Sequence, residues 1–224
     1  MVDKTLVLIG ASSEIGVKFS ELCNEVNIKT FSISRNYITV DKKQGLKVED
    51  YLSDYKLIEK ELKKLKNVIV IFFNGALFEN RPEKFPSDEE IFLTKIINYE
   101  IPLELTKKLS FELQNIEKFI FISSMAAVKP RYKNFIYGGY KRELEQSVKS
   151  LSLNSYLIIR FGKVFTKMSE GHRTPPFSMT SKTAAKVILK NLNKTKIIYG
   201  NRGLYFISKI LIMIPQKILF KLNI

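Results

Sequence analysis

The sequence predicts one α/β domain: a doubly wound parallel sheet of about seven strands with helices on both faces. Short apolar runs of strand length recur along the chain, and segments of helical period lie between them. A glycine-bearing turn joins the first run to the first helix. The 224 residues suffice for one sizeable core and are short for two.

The runs are TLVLI (5–9), KTFSIS (29–34), NVIVIFF (67–73), KFIFIS (118–123), SYLIIR (155–160) and TKIIY (195–199). Several are unbroken β-branched or aromatic stretches, as expected of parallel strands covered on both faces. Between them, residues 55–65, 88–113, 138–151 and 180–192 repeat apolar side chains at three and four, the helical period. FENRPEKFPSDEE reads as a loop ending in Ser87, an N-cap before an acidic first turn. A second loop, about 163–181, follows the fifth run, where ligands bind in such sheets. The expected organisation is a domain over 1–203 followed by an apolar, basic tail over 204–224.

Composition narrows the function. With 45% hydrophobic and 26% charged residues the chain is globular, not disordered. One cysteine, Cys23, rules out an internal disulfide and a cysteine metal site. One histidine, His172, rules out a histidine triad or histidine metal site, so no metal is expected. The opening MVDKTLVLIGASSEIG lacks the pattern of a signal peptide, and a reducing cytoplasm is the expected location. The net charge of +15 comes mostly from lysines spread in ones and twos, without a nucleic-acid recognition motif. Nucleic acid is therefore not expected as a partner, and the charge reads as a solvated surface.

TLVLIGASSEIGVKFSELC reads as strand, tight turn, helix. Gly10 and Gly16 let the backbone approach a pyrophosphate, and the helix N-terminus faces it with N–H groups and a positive dipole end. Glu14 stands where a middle glycine is commonest. The second run ends in SISRN: Ser34 and Arg35 offer a hydroxyl and a cation with no carboxylate, which favours NADP over NAD. Such a turn in an alternating chain is the mark of a Rossmann-type sheet.

NFIYGGYKREL carries two tyrosines ahead of Lys141. Residues four apart share a helix face and adjacent ones do not, so Tyr137, not Tyr140, pairs with the lysine. Ser123 and Ser124 close the fourth run, and Tyr137 follows Ser124 by thirteen residues. Together with Gly10 to Gly16, FNGA at 73–76 and Asn98, this order resembles the short-chain dehydrogenase/reductase family over nearly the whole chain. The resemblance implies an NAD(P)-dependent oxidoreductase with Tyr137 as proton donor, Ser124 as carbonyl anchor, and Asn98 supporting a water chain to Lys141. A lysine ammonium one turn away is expected to lower the phenol's pKa from its usual value of about 10. The resemblance also implies cofactor contacts from Gly10, Ser12, Ser13, Ile15, Gly16, Ser34, Arg35, Asn74, Gly75, Lys141, Val164 and Thr166. Gly75 and Ala76 stand in the reverse of the family's usual order, and Phe161 replaces a usual proline. Helices about 99–114 and 138–151 resemble the family's subunit contacts, implying a homodimer or homotetramer.

SSMAAVKPRYKNFIYGGYKREL (123–144), TKMSEGHRTPPFSMTSKTAAKVI (166–188) and IIYGNRGLYFISKILIMIPQKILFKL (197–222) together look like the branch containing decaprenylphosphoryl-2-keto-ribose reductases. That likeness implies a keto-sugar or related carbonyl substrate, lipid- or nucleotide-linked, in surface-polysaccharide synthesis. Met125, His172 and Arg173 are its candidate substrate contacts. LYFISKILIMI (204–214) is too short to span a bilayer, which takes about 20 residues. Two readings of 204–224 stay open: peripheral contact with the inner face of a membrane, its lysines beside anionic headgroups, or packing on its own domain or a sister subunit. The rival to an enzyme is a non-catalytic dinucleotide-binding regulator or scaffold of the same fold, motivated by Glu14 and FNGA.

Overall fold

A computed structural model of the chain describes residues 4–36, 45–78, 84–171 and 174–221. Strands β1 (Thr5–Ile9), β2 (Thr30–Ser34), β3 (Gly45–Lys47), β4 (Val68–Phe72), β5 (Ile116–Ser124) and β6 (Tyr156–Phe161) are followed by the short β7 (Val164–Phe165) and β8 (Met179–Thr180), then β9 (Lys196–Tyr199). The helices are α1 (Glu14–Glu25), α2 (Tyr55–Leu62), α3 (Asp88–Lys95), α4 (Ile101–Glu112), α5 (Met125–Val128), α6 (Phe135–Ser150), α7 (Ser181–Lys190), α8 (Arg202–Met213) and α9 (Gln216–Lys221).

Seven strands form one parallel sheet in the order β3-β2-β1-β4-β5-β6-β9. All six apolar runs are strands of this sheet, and the seventh is the three-residue edge strand β3, too short to announce itself. The chain winds outward from β1 in one direction and from β4 in the other, so the order reverses between these two neighbours. That switch point opens a crevice at the carboxyl ends of the strands.

The unbroken apolar runs are explained by cover on both faces. Val7 and Ile9 join the core with Ile58 of α2, Leu105 and Leu109 of α4 and Leu144 of α6. Leu6 and Leu8, pointing the other way, pack with Phe19 of α1 and Ala184 and Ile188 of α7. Each of these valine, leucine, isoleucine and phenylalanine side chains contributes about 1.5–3 kcal/mol on burial. Cys23 lies in the second core, and burial pushes its thiol up to about 12, which leaves it unreactive.

Ser87 forms a full capping box with Glu90, its hydroxyl accepting from the Glu90 N–H at 3.2 Å. The periodic stretch 88–113 is not one helix. Pro102 lacks an N–H and its ring crowds the carbonyl four residues back, so the chain widens into a π turn over Ile96–Glu100. There the Ile101 N–H bonds the Ile96 carbonyl, five residues back. The ends of the segment expected to be a loop are paired strands: β7 and β8 run in parallel, Val164 opposite Met179. The start of the tail is continuous with the domain, because α8 begins at Arg202 and buries Leu204 against Met125 and Val128 of α5.

Candidate active site

The crevice is built first from the turn after β1. Gly10 has φ +75°, a conformation costly for any residue with a Cβ, and an added Cβ would lie 3.0 Å from the Asn74 nitrogen. Gly16 cannot carry a side chain either, since its Cβ would meet the Ala11 carbonyl oxygen at 2.7 Å. Ser13 caps α1 by accepting from the Gly16 N–H at 3.1 Å, and Ser12 and Ile15 flank that cap. Asn74, just beyond β4, closes the crevice from the other side. Its Oδ1 is buried without a partner among the described residues. A buried acceptor left unpaired is costly, and a ligand hydroxyl or amide would relieve it.

Glu14 has a specific place. Its carboxylate accepts from the Lys167 N–H at 2.5 Å, tying the start of α1 to the segment that holds Val164 and Thr166. Ser169 secures the same segment, donating to the Val164 carbonyl at 2.6 Å and accepting from the Thr166 N–H at 3.2 Å. Arg35 is exposed at the end of β2, whereas Ser34 is buried and its hydroxyl donates to the Asn36 carbonyl. To contact a ligand, Ser34 would have to give up that bond.

The second half of the site comes from β5 and α6. Ser124 ends β5 and caps α5, accepting from the Ala126 N–H at 3.2 Å. Gly138 brings α6 against α5 so closely that a Cβ there would sit 2.7 Å from the Ala126 carbonyl oxygen. That contact places Tyr137, one residue earlier, where the Ser124 side chain bonds its phenol. One turn on, Lys141 is buried, with its Nζ 5.9 Å from the Tyr137 ring centre. Its ammonium donates to the Ile122 carbonyl at 3.2 Å and the Asn74 carbonyl at 3.3 Å. Tyr140 turns away and stacks on Tyr99, ring centres 6.5 Å apart.

Asn98, carried on the π turn, is fully buried. Its Nδ2 donates to the Ala76 carbonyl at 2.8 Å and the Thr94 carbonyl at 2.9 Å, while Oδ1 accepts from the Ala76 N–H at 3.4 Å. Asn98 and Lys141 thus grip the same short segment, 74–76, with Gly75 between them.

The electrostatics correct one expectation. Burial, not Lys141, dominates Tyr137 and pushes its phenol up to about 12, with the Ser124 hydrogen bond opposing the rise. Burial also pushes the Lys141 ammonium down to about 8, and the Glu145 carboxylate opposes that fall. Glu145 was missed by sequence reasoning. It is buried, accepts from the Ser123 hydroxyl at 2.7 Å, and is gripped by Arg160 through Nε at 3.0 Å and Nη2 at 2.5 Å. Arg160 Nη1 in turn donates to the Tyr199 hydroxyl at 2.8 Å. The legible signal was Glu145 four residues after Lys141; its partner on β6 was not predictable from spacing. Of the candidate substrate contacts, Met125 is buried beneath α8, and His172 and Arg173 lie outside the described residues.

No protein-family model and no curated protein matches the sequence. Solved structures do match in shape. A short-chain dehydrogenase from Burkholderia cenocepacia J2315, in complex with NADP, superposes with a TM-score of 0.79 at 16% identity, covering 95% of this chain and 98% of that one. The fold is that of the short-chain dehydrogenases. Aldohexose dehydrogenase from Thermoplasma acidophilum shares this short-chain dehydrogenase fold, with a TM-score of 0.71, 14% identity and coverage of 91% and 94%. So does an alcohol dehydrogenase from the archaeon Thermococcus sibiricus complexed with 5-hydroxy-NADP, with a TM-score of 0.70, 16% identity and coverage of 88% and 95%.

Proposed function

We propose that the chain is an NADPH-dependent reductase of a keto-sugar or related carbonyl. The observation that carries the reading is the convergence of Ser124, Tyr137 and Lys141 at the end of β5, beside the unpaired Asn74 oxygen. Reducing a carbonyl needs a hydride on carbon and a proton on oxygen. A reduced nicotinamide dinucleotide, when bound, supplies the hydride. Tyr137, with its pKa raised to about 12, is protonated at neutral pH and donates the proton as the oxygen gains charge. The Ser124 hydroxyl steadies that oxygen through a hydrogen bond that strengthens as charge develops. Lys141, charged below about pH 8, stabilises the phenolate that this transfer leaves behind.

The residues present fit such a cofactor. Asn74 Oδ1 seeks a donor such as a ribose hydroxyl, Gly10 and Gly16 admit close backbone approach, and exposed Arg35 suits an added phosphate. NADP in the Burkholderia complex and 5-hydroxy-NADP in the Thermococcus one support a nicotinamide dinucleotide, and the preference for the phosphorylated form rests on Arg35. The sugar reading is supported by the sequence likeness of residues 123–144, 166–188 and 197–222 to keto-ribose reductases and by the aldohexose dehydrogenase among the similar structures. Assembly through α4 and α6 fits the exposed Phe111 on α4. Glu14, a carboxylate at the start of α1, favours the rival reading of a dinucleotide-binding regulator without turnover.

Oxidation of NADPH and NADH against free and lipid-linked keto-sugars separates the two. Tyr137→Phe is expected to lose about 10²–10⁴ in turnover while still binding NADPH, and Tyr140→Phe to lose little. Turnover indifferent to Tyr137 would leave the regulator reading standing.

A further inference from the structure

The helices α8 and α9 are fastened to the domain on one side and bare on the other. On the inner side, Leu204 and Ser208 of α8 are buried over α5, and Leu219 of α9 is 2% exposed. Lys129 donates to the Ile212 carbonyl at 3.2 Å and to that of Ile214, satisfying the end of α8. Gln216 donates to the Pro130 carbonyl at 2.6 Å, and the Phe220 ring meets Phe135 edge-on with centres 5.5 Å apart. The segment is therefore a built part of the surface.

On the outer side, Phe206, Ile210 and Met213 are 65%, 59% and 82% exposed. Their spacing of four and three residues aligns them in one stripe along α8. Ile212 and Ile218 extend the apolar surface. Interspersed are Arg202, Lys209, Lys217 and Lys221, and residues 202–221 contain no aspartate or glutamate. Two copies meeting through this face would press four cations of each against four of the other. An anionic bilayer surface supplies both what the stripe needs and the opposite charge.

We infer that the α8–α9 face docks peripherally on anionic lipid, with Phe206, Ile210 and Met213 entering the headgroup boundary. No helix among the described residues is long and apolar enough to cross a membrane, so the contact is interfacial. Docking also sets the orientation of the crevice. The α8 helix rests on α5, whose cap is Ser124, and Phe177 of the 163–181 loop lies over Gly203, where an added Cβ would be 2.3 Å from its ring. The mouth of the site therefore sits beside the lipid-facing helix. This inference stands on the surface alone and survives if the proposed reaction is wrong.

The test is sedimentation of the full chain with phosphatidylcholine vesicles, with and without phosphatidylglycerol. Partitioning is expected to be roughly tenfold or more stronger on the anionic vesicles and to weaken as salt shortens the Debye length. Phe206→Glu with Ile210→Glu should abolish it, and Lys209→Glu with Lys217→Glu should weaken it, all with unchanged circular dichroism. No binding to anionic vesicles, or binding that ignores these substitutions, overturns the inference. So does light scattering that shows an oligomer dissociated by Phe206→Glu, which would make a second copy the occupant.

Discussion

Glu145 sits one helical turn beyond Lys141, shielded from water and shared between Ser123 and Arg160. Lys141 also faces the Tyr137 phenol and the Ile122 and Asn74 carbonyls; from β6 and β9, Arg160 and Tyr199 face Glu145. The carboxylate holds the lysine's pKa up against burial, so Glu145→Gln should lower it further, and the unneutralised Arg160 cation acts in the same direction. The reductive rate should fall as pH rises through about 8 in the parent chain, and the alkaline limb should move to lower pH in the variant. A pH profile of kcat reads this, and a limb that does not move would reduce Glu145 to a structural role. The linked stability has a definite sign. Because the folded pKa of Lys141 lies below its ordinary value of 10.5, the cost of burying it is full below about pH 8 and is relieved as pH rises toward 10.5. At this scale the choice between Tyr137 and Tyr140 was legible, because helical spacing alone separates them. Ser123, Glu145 and Arg160 were not, because their contact joins β5, α6 and β6 and depends on how those elements pack.

Two adjacent glycines on α6 give opposite expectations at the scale of the element. Gly138 faces α5 and has no room for a methyl group, whereas Gly139 has no heavy atom within 4 Å of where its Cβ would stand. Gly138→Ala should force α6 away from α5, costing about 1–3 kcal/mol and moving Tyr137 out of line with Ser124. Gly139→Ala should raise stability by about 0.4–1 kcal/mol, since alanine loses less backbone entropy in a helix and meets nothing. Urea denaturation of the pair checks both signs, and similar effects from the two would show that the close approach does not matter. The elements themselves were largely readable from the sequence: apolar runs marked six strands, and Ser87 marked the start of α3. The break in the 88–113 helix was written in Pro102, but its outcome as a π turn carrying Asn98 depends on the packing of Asn98 against Ala76. The edge strand β3 has too few residues for any period to show.

For the whole molecule, the crevice and the fold are one structure. Asn74 follows β4, Gly10 follows β1, and Lys141 reaches from α6 to the Asn74 carbonyl, so both halves of the sheet meet at the switch point. Alternation of strand and helix made the sheet and its crevice legible, while the bond from Glu14 to Lys167 links residues far apart in the chain and had no local signature. A ligand held at that junction binds the folded state and not the unfolded chain, so its binding energy becomes folding stability. NADPH at a hundred times its Kd should add about 2.7 kcal/mol. For a chain of 224 residues, where 1 kcal/mol moves Tm by about 2–4 °C, that is a rise of roughly 5–11 °C. Arg35 is exposed at the end of β2, so Arg35→Ser should reduce the rise with NADPH and leave that with NADH nearly unchanged. Tyr137→Phe should keep both rises while losing turnover, because the phenol donates a proton and does not hold the dinucleotide. A thermal melt with each nucleotide reads all three. An unchanged Tm at saturating NADPH would mean that the unpaired Asn74 oxygen awaits a different donor, and the proposed cofactor would fall with it.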